Sequence, residues 1–592
     1  MNLKCLLFKN QLFKWLHLIP FIGILITFIS VTAVANELKE REHNQADSIG
    51  FSKNYMVSAA NPYAVNAGLE ILKVGGTAAD AAVAIQLVLN LVEPQSSGIG
   101  GGAFLLYYDG LNRELVTYDG RETAPEDINQ KLFLDKQGKP LKFINAVVGG
   151  RAVGTPGTLA LLEMVHSNHG KMEWKKLFES SIRLSERGFT VSKRLHDYLR
   201  GNYGNRLRTF ETARNFYFPD GKPIKNGDLL KNLSFAKTLR LLSKVGVKAF
   251  YNGALADGIE KTVKNSALNP GFLSKSDLIK YRAIKRYPTC YYYRKHKICG
   301  MGPPSSGAIA IGQILGMLEK FNLNELGPEN TNSWHYISEA SKLAFADRNK
   351  YVADPDFIQV PTQELLNSHY LNTRAKLISP KRSILTPAPA GNPIPKLSHR
   401  YSSDLGHSRS GTSHISVIDK YGNAISMTTT IEGPFGSQLM TDGFLLNNEL
   451  TDFSFLPSRN GRLIANRVEP LKRPRSSMSP TMVFDNDENL KLVIGSPGGS
   501  RIIGYVVKTL IAVIDWNLDI QSAINLGNVV NRNGNTEIEY GTNAIKFKNS
   551  LESLGHKIKI RKLNSGVHAI LVKNDYLVGG ADPRREGVAQ GN

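Results

Sequence analysis

Apolar positions in the first third of the chain recur at helical spacing. Tyr63 to Lys73 is amphipathic, opened by Asn61-Pro62 and stopped by Gly75-Gly76, and Ala79 to Leu91 follows as a second, alanine-rich helix. A glycine-rich run, Glu93 to Gly102, leads into the apolar strand Ala103 to Tyr108. Leu159 to Lys285 is mostly helical pattern with polar loops. A helix over Trp334 to Lys350 comes next, in which Glu339, Asp347 and Arg348 read as packing and surface ion pairs. Leu377 to Ser410, with Ser379-Pro380, Pro387, Pro389, Pro393 and Pro395 and a polar tail, reads as loop and not core. The period then changes to two. His414 to Asp419 alternates, Lys420-Tyr421-Gly422-Asn423 supplies turn residues, and Ala424 to Thr430 alternates again, so a β-hairpin starts at Thr412. No internal repeat is visible.

The 592 residues are 42% hydrophobic and 21% charged, a composition that buries a large core and excludes a disordered chain. Residues 1–35 stand apart. Lys4, Lys9 and Lys14 precede the apolar run Trp15 to Val34, and Ala33-Val34-Ala35 offers a small-residue cleavage site, the pattern of a secretory signal. Cys5 lies before the apolar run, which argues against a lipoprotein anchor. The formal net charge is +22. With no recognition helix, zinc-finger spacing or basic repeat, that charge points to anionic surfaces or substrates and not to nucleic acid. Beyond the leader only Cys290 and Cys299 remain. A hairpin turning at Arg294-Lys295 places them opposite one another, which permits a structural disulfide in an oxidising compartment without requiring one.

Chemistry enters at Thr412. A structurally weak segment ends just before it and a compact hairpin begins there, so a cut between Gly411 and Thr412 would damage little. The cut would make Thr412 a chain terminus whose α-amine, with a pKa of roughly 8, can act as base for its own hydroxyl. Glycine at 411, lacking Cβ, allows close approach to the carbonyl that must be attacked. The glycine run before Ala103 lacks the Lys-Ser/Thr of a phosphate loop and precedes a strand, so it does not read as a nucleotide site.

Five segments then occur in order: Gly411-Thr-Ser-His414, Asp419-Lys-Tyr-Gly-Asn423, Leu446-Asn-Asn-Glu-Leu450, Arg473-Pro-Arg-Ser-Ser-Met-Ser-Pro-Thr481 and Gly495-Ser-Pro-Gly-Gly-Ser-Arg501. Together they resemble the γ-glutamyltranspeptidase family, from about Ser58 to Arg585. The resemblance implies an α/β, four-layer αββα sandwich of the N-terminal nucleophile type. One precursor would supply both pieces, a large fragment 36–411 and a small catalytic fragment 412–592, associated as a heterodimer. It implies self-cleavage at Gly411-Thr412, then a γ-glutamyl ester on Thr412 resolved by water, an amino acid or a peptide, with glutathione or another γ-glutamyl compound as donor.

Site roles follow from the same resemblance. Thr430 would hydrogen-bond the nucleophile, and the backbone N–H groups of Gly498 and Gly499 would face the oxyanion. Arg121, Ser476 and Ser477 would hold the α-carboxylate of the substrate, for which a planar guanidinium is suited. Glu432, Glu449 and Asp452 would hold its ammonium. The family carries Asn or Glu at the position of Glu432, and three acids around one ammonium raise a carboxyl pKa.

Some segments depart from the pattern. Asp452 to Ser476 is shorter than in members with a covering loop, which leaves the pocket open to bulky donors. Asn528 to Gly534 replaces a Pro-Arg-x-His segment, while Glu537-Ile-Glu539 and Gly580 to Arg584 keep the terminal pattern. No His/Cys/Asp cluster has metal-ligand spacing, so no metal or cofactor is expected. The alternatives are a cephalosporin- or glutaryl-type acylase or poly-γ-glutamate hydrolase with the same nucleophile, and an inactive, basic envelope-binding protein.

Overall fold

The hydrophobic alternation resolves into fourteen strands that form two seven-stranded antiparallel sheets. The computed structural model describes residues 49–404 and 411–592. The expected signal at 1–35 and residues 405–410 lie outside the described residues. In chain order the strands are β1 (Ile49–Ser52), β2 (Met56–Ala59), β3 (Gly102–Asp109), β4 (Glu114–Gly120), β5 (Ile284–Arg286), β6 (Thr289–Tyr293) and β7 (His296–Gly300). They continue with β8 (Gly411–Ile418), β9 (Ala424–Glu432), β10 (Thr481–Phe484), β11 (Leu490–Gly495), β12 (His568–Val572), β13 (Leu577–Ala581) and β14 (Val588–Gly591). One sheet runs β14-β2-β8-β9-β3-β4-β5 and the other β1-β13-β12-β11-β10-β7-β6.

Each sheet has a helical layer on its outer face. Against the first lie α1 (Pro62–Lys73), begun at Asn61-Pro62 as the sequence predicts, and α2 (Ala78–Val92). The Asn61 side chain accepts from the Tyr63 N–H, and Thr77 with Asp80 forms a capping box. Every residue of α2 is buried, which its alanines permit by letting the helix sit close to the strands. Against the second sheet lie α3 (Gly307–Leu318), α4 (Thr331–Tyr351) and α5 (Ile502–Ile514). Side chains of the first sheet divide accordingly. Val57, Ala59, Leu105, Ile415, Val417, Ile425 and Met427 join the core under α1 and α2, whereas Met56, Phe104, Leu106 and Tyr108 join the core shared with the second sheet.

The inner face at the hairpin is polar. Three serine hydroxyls of the first sheet donate to backbone carbonyls of the second: Ser58 to Gly580 at 2.9 Å, Ser416 to His568 at 3.0 Å and Ser426 to Ile494 at 3.0 Å. These bonds register one sheet on the other and leave no buried hydroxyl of the three unpaired.

Strands from both sides of Gly411 interleave in both sheets. In the first, β8 sits between β2 and β9, and β9 pairs with β3; in the second, β1 pairs with β13 and β7 with β10. A break before Thr412 would leave these ladders intact.

Two expectations need correction. The segment from Leu377 is not wholly loop. Pro395 opens a short helix, Pro395–Arg400, and Tyr401–Ser402 pairs in parallel with part of Arg462–Ile464. Leu397 and Tyr401 are buried in a satellite core, so proline here starts structure instead of preventing it. Arg348 and Asp347 are also not surface charges: both are buried on α4.

The cysteines meet as the hairpin geometry allows. Arg294 and Lys295 turn the chain with φ of 46° and 69°, Cys290 and Cys299 are cross-strand partners, and they form a disulfide. It closes a loop of nine residues' separation at a sheet edge, which corresponds to about 3 kcal/mol by loop entropy. Replacing both cysteines by alanine is expected to lower the thermal unfolding midpoint by a few degrees while leaving chain processing and turnover unchanged, as read by differential scanning calorimetry and intact mass.

Candidate active site

The hairpin pairing slips by one residue at the expected cleavage point. Gly411 pairs with Glu432 but Thr412 pairs with Thr430, so Ile431 is left over as a bulge. Glu432, opposite Gly411, has φ of 72°, a left-handed conformation unfavourable for a side chain with Cβ. Glycine at 411 is dictated by space, since a Cβ there would lie 2.5 Å from the Gly433 carbonyl oxygen.

The slip brings three groups together. Thr430 Oγ1 donates to the Gly411 carbonyl oxygen at 2.7 Å, accepts from the Glu432 N–H at 2.8 Å, and lies 3.5 Å from Thr412 Oγ1. The Gly411 carbonyl is thus polarised by the neighbouring hydroxyl. Behind Thr412, the buried Arg585 donates from Nη1 to the Thr412 carbonyl at 2.8 Å. No histidine, carboxylate or lysine hydrogen-bonds Thr412 Oγ1 among the described residues. His414, on the same strand face, spends its ring nitrogens on Thr428 at 2.9 Å and Ser416 at 3.2 Å. Burial, together with His568, keeps its pKa well below the ordinary histidine value, so it is neutral.

The glycine turn is placed as expected. Gly498 and Gly499 have φ of 140° and 62°, and Gly499 shares a pocket with Thr412 just before the short turn that opens α5. Neither N–H meets a protein acceptor among the described residues.

Arg121, Thr412, Thr430, Glu432, Glu449, Asp452, Ser476 and Ser477 all line that pocket. Of the predicted residues only Gly498 and Gly411 stand behind its wall. The pocket's free volume is about 20 Å³, room for about one water. In the uncut chain the expected carboxylate and ammonium partners hold each other. Arg121 donates to Glu449, to Asp452 at 2.6 Å, and to the carbonyls of Pro474 at 3.1 Å and Arg475 at 3.2 Å. Glu432 accepts from Asn448, whose own Oδ1 takes the Gly433 N–H.

Negative charge exceeds positive here. Burial would lower the proton affinity of Arg121, but Glu449, Asp452 and Glu122 outweigh it and raise it. Burial, opposed by Arg121, lifts Glu449 well above the usual carboxylate range and Glu122 to about 7.

Sequence reading missed Arg585, Asn448 and Glu122. Asn448 lies inside the quoted Leu446–Leu450 segment and Glu122 follows Arg121, whereas Arg585, far along the chain, carried no local signal. The metal-ligand types that do meet, His335, Glu339 and His556, form an interior hydrogen-bond network. The rings bond each other at 2.8 Å, and Lys342 occupies Glu339 at 2.7 Å.

Two antiparallel sheets between helical layers, with a hydroxyl at the head of an inner strand and a glycine turn lining the same pocket, define an N-terminal nucleophile hydrolase. Comparison with known proteins narrows the class. Residues 64–592 match the gamma-glutamyltranspeptidase family. The chain is 36% identical to the glutathione hydrolase proenzyme of Bacillus subtilis strain 168 over 93% of this chain and 94% of that protein. It is 36% identical to the Escherichia coli K12 glutathione hydrolase proenzyme over 90% and 91%. Among solved structures, cephalosporin acylase from Bacillus halodurans superposes with a TM-score of 0.81 at 25% identity, over 92% of this chain and 97% of that one. The chain belongs to the γ-glutamyltranspeptidase family and is an enzyme of the glutathione hydrolase type.

Two predictions follow from the geometry at the bulge and in the acid cluster. Thr430→Val removes the donor to the Gly411 carbonyl and is expected to slow chain cleavage by about a hundredfold, with Gly411→Ala slowing it too. Intact mass against time reads both, and cleavage at the wild-type rate in Thr430→Val would contradict the role. Glu122, ordinarily near 4.5, holds more protons folded than unfolded between about 4.5 and about 7, so its contribution to stability falls as pH rises through that window. Glu122→Gln is expected to flatten the decline of the unfolding midpoint between pH 5 and pH 8.

Proposed function

We propose that this chain cleaves itself between Gly411 and Thr412 and that the freed Thr412 transfers γ-glutamyl groups. Thr412 Oγ attacks the Gly411 carbonyl, the Gly411–Thr412 C–N bond breaks as the hydroxyl proton passes to the Thr412 nitrogen, and an ester forms. Water then cleaves the ester, releasing residues 36–411 and 412–592 as fragments that stay joined through their shared sheets. The carrying observation is the register slip, which places the attacked carbonyl under the Thr430 hydroxyl. The new α-amine of Thr412 supplies the base that the folded site otherwise lacks.

In the mature site the substrate head replaces the internal pairs. Its α-carboxylate takes Arg121 with Ser476 and Ser477, and its ammonium takes Glu432, Glu449 and Asp452. Thr412 attacks the γ-amide while the N–H groups of Gly498 and Gly499 receive the oxyanion, and water or an amine then resolves the ester. Glutathione is a donor of this kind. A glutaryl head, lacking the ammonium, would leave buried acids without a partner, which argues against an acylase despite the shared architecture. We place the protein outside the cytoplasm. The residue pattern at 1–35 supports that reading, and the Cys290–Cys299 disulfide fits an oxidising compartment.

The decisive comparison uses γ-glutamyl and glutaryl p-nitroanilides with wild type and Thr412→Ala. Wild type should appear as two fragments and favour the γ-glutamyl compound by about a thousandfold. Thr412→Ala should stay one chain without activity. Equal turnover of both anilides, or an active single chain, would refute the reading.

A further inference from the structure

One surface helix, Leu233–Val245, mixes apolar and basic side chains on its solvent side. Its inner face sends Phe235, Leu239 and Leu242 into the core that also packs under α1 and α2. The opposite face aligns Leu233, Lys237, Arg240 and Lys244, because residues three and four apart stand above one another on a helix, and all four are exposed. Leu233 exposes 59% of its surface. Leu229, on the short strand Leu229–Leu230 just before the helix, and Val245 at its end add two more aliphatic side chains, 64% and 52% exposed.

The helix is firmly mounted. Asn232 caps its start, accepting from the Phe235 N–H at 2.9 Å and donating to the Gly443 carbonyl at 2.9 Å, and the Thr238 hydroxyl donates to the Asp442 carbonyl at 2.7 Å. Gly246, with φ of 81°, ends it. The exposed stripe is therefore a fixed surface and not a loop that could fold its leucines away.

Charge on this surface has one sign. Residues 229–248 hold Lys231, Lys237, Arg240, Lys244 and Lys248 and no acid. Arg240 pairs with Glu186 of the adjoining helix Glu179–Arg187 at 2.5 Å. No carboxylate lies within ion-pair distance of the four lysines among the described residues. Asp228, the acid just before Leu229, turns its carboxylate onto the Lys225 N–H at 2.7 Å.

A single exposed leucine or lysine is ordinary, but three aliphatic side chains set among cations on one rigid face are the arrangement of a helix that lies in a lipid interface. The like charge also selects the occupant. A second copy docking through the same face would set cations against cations, and a soluble polyanion would leave the aliphatic side chains in water. An anionic bilayer answers both: its headgroups meet the lysines, whose stems lie along the interface, while Leu229, Leu233 and Val245 enter the acyl boundary.

We infer that this face docks the enzyme on a bilayer containing anionic phospholipid, with the helix Leu233–Val245 lying in the plane of the interface. The net charge of +22 adds a longer-range attraction to the same surface. None of the docking residues lines the acyl pocket, so docking positions the enzyme without entering its chemistry.

The test is co-sedimentation of the purified enzyme with phosphatidylcholine vesicles, with and without about one-third phosphatidylglycerol, at about 0.1 M and about 0.5 M salt. Wild type is expected to bind the anionic vesicles about tenfold more tightly than the neutral ones at the lower salt and to lose most of that preference at the higher. Lys237→Glu/Lys244→Glu should weaken binding by about a hundredfold and Leu229→Ser/Leu233→Ser by about tenfold, with glutathione hydrolysis in solution unchanged in both. Equal binding to the two kinds of vesicle, or a charge-reversed variant that binds like wild type, would overturn the inference. So would a leucine variant that binds like wild type, which would mark a site for a soluble polyanion, or a dimer that Lys237→Glu/Lys244→Glu dissociates, which would mark a contact between copies.

Discussion

One hydrogen bond organises the catalytic end of this molecule, the bond from the Thr430 hydroxyl to the carbonyl of Gly411 at 2.7 Å. It exists only because the hairpin slips a register between Gly411 and Thr412, and the slip is tolerated only because glycine fits against the Gly433 carbonyl. The left-handed Glu432 belongs to the same distortion. Local strain is thus placed beside the Gly411–Thr412 peptide bond, where we propose cleavage, and held there by the surrounding sheet. Both sheets draw strands from either side of that bond, so cleaving it removes a constraint without removing a layer.

The electrostatics carry the same logic into the substrate pocket. Arg121 is held by four groups and is outnumbered by acids, two of which are pushed toward protonation by burial. An amino acid head, with one carboxylate and one ammonium, matches this set when the internal pairs exchange for it. A ligand with only one of the two charges satisfies half the site and leaves the other half buried and unpaired.

Much of this was legible in the residues, and what was not has physical causes. The α1 and α2 boundaries, the β8–β9 hairpin, the opposed cysteines and the glycine turn before α5 were fixed by local signals: caps, turn residues and periodicity. The alternation of Thr412, His414 and Ser416 was also plain, but a polar strand face ordinarily means solvent. Here it means the gap between two sheets, where Ser416 and Ser426 bridge to the opposite layer. Pro395 was read as a breaker although proline is favoured in a first helical turn. Arg348 reads in sequence as part of a packing or surface ion-pair set because a charged residue on a helix usually is. Only the tertiary packing of α4 buries it. Arg585 was unreadable for a different reason: its contact with the Thr412 carbonyl spans 173 residues of chain, and no local pattern encodes that distance.

The central claim is that the bond before Thr412 is broken by its own neighbour inside a single folded chain. Purified uncleaved protein, followed by intact mass over a hundredfold range of concentration with the new terminus sequenced, tests this most directly. The account predicts a first-order rate independent of concentration and a terminus at Thr412. A rate that rises with protein concentration, or a terminus at another residue, would contradict it.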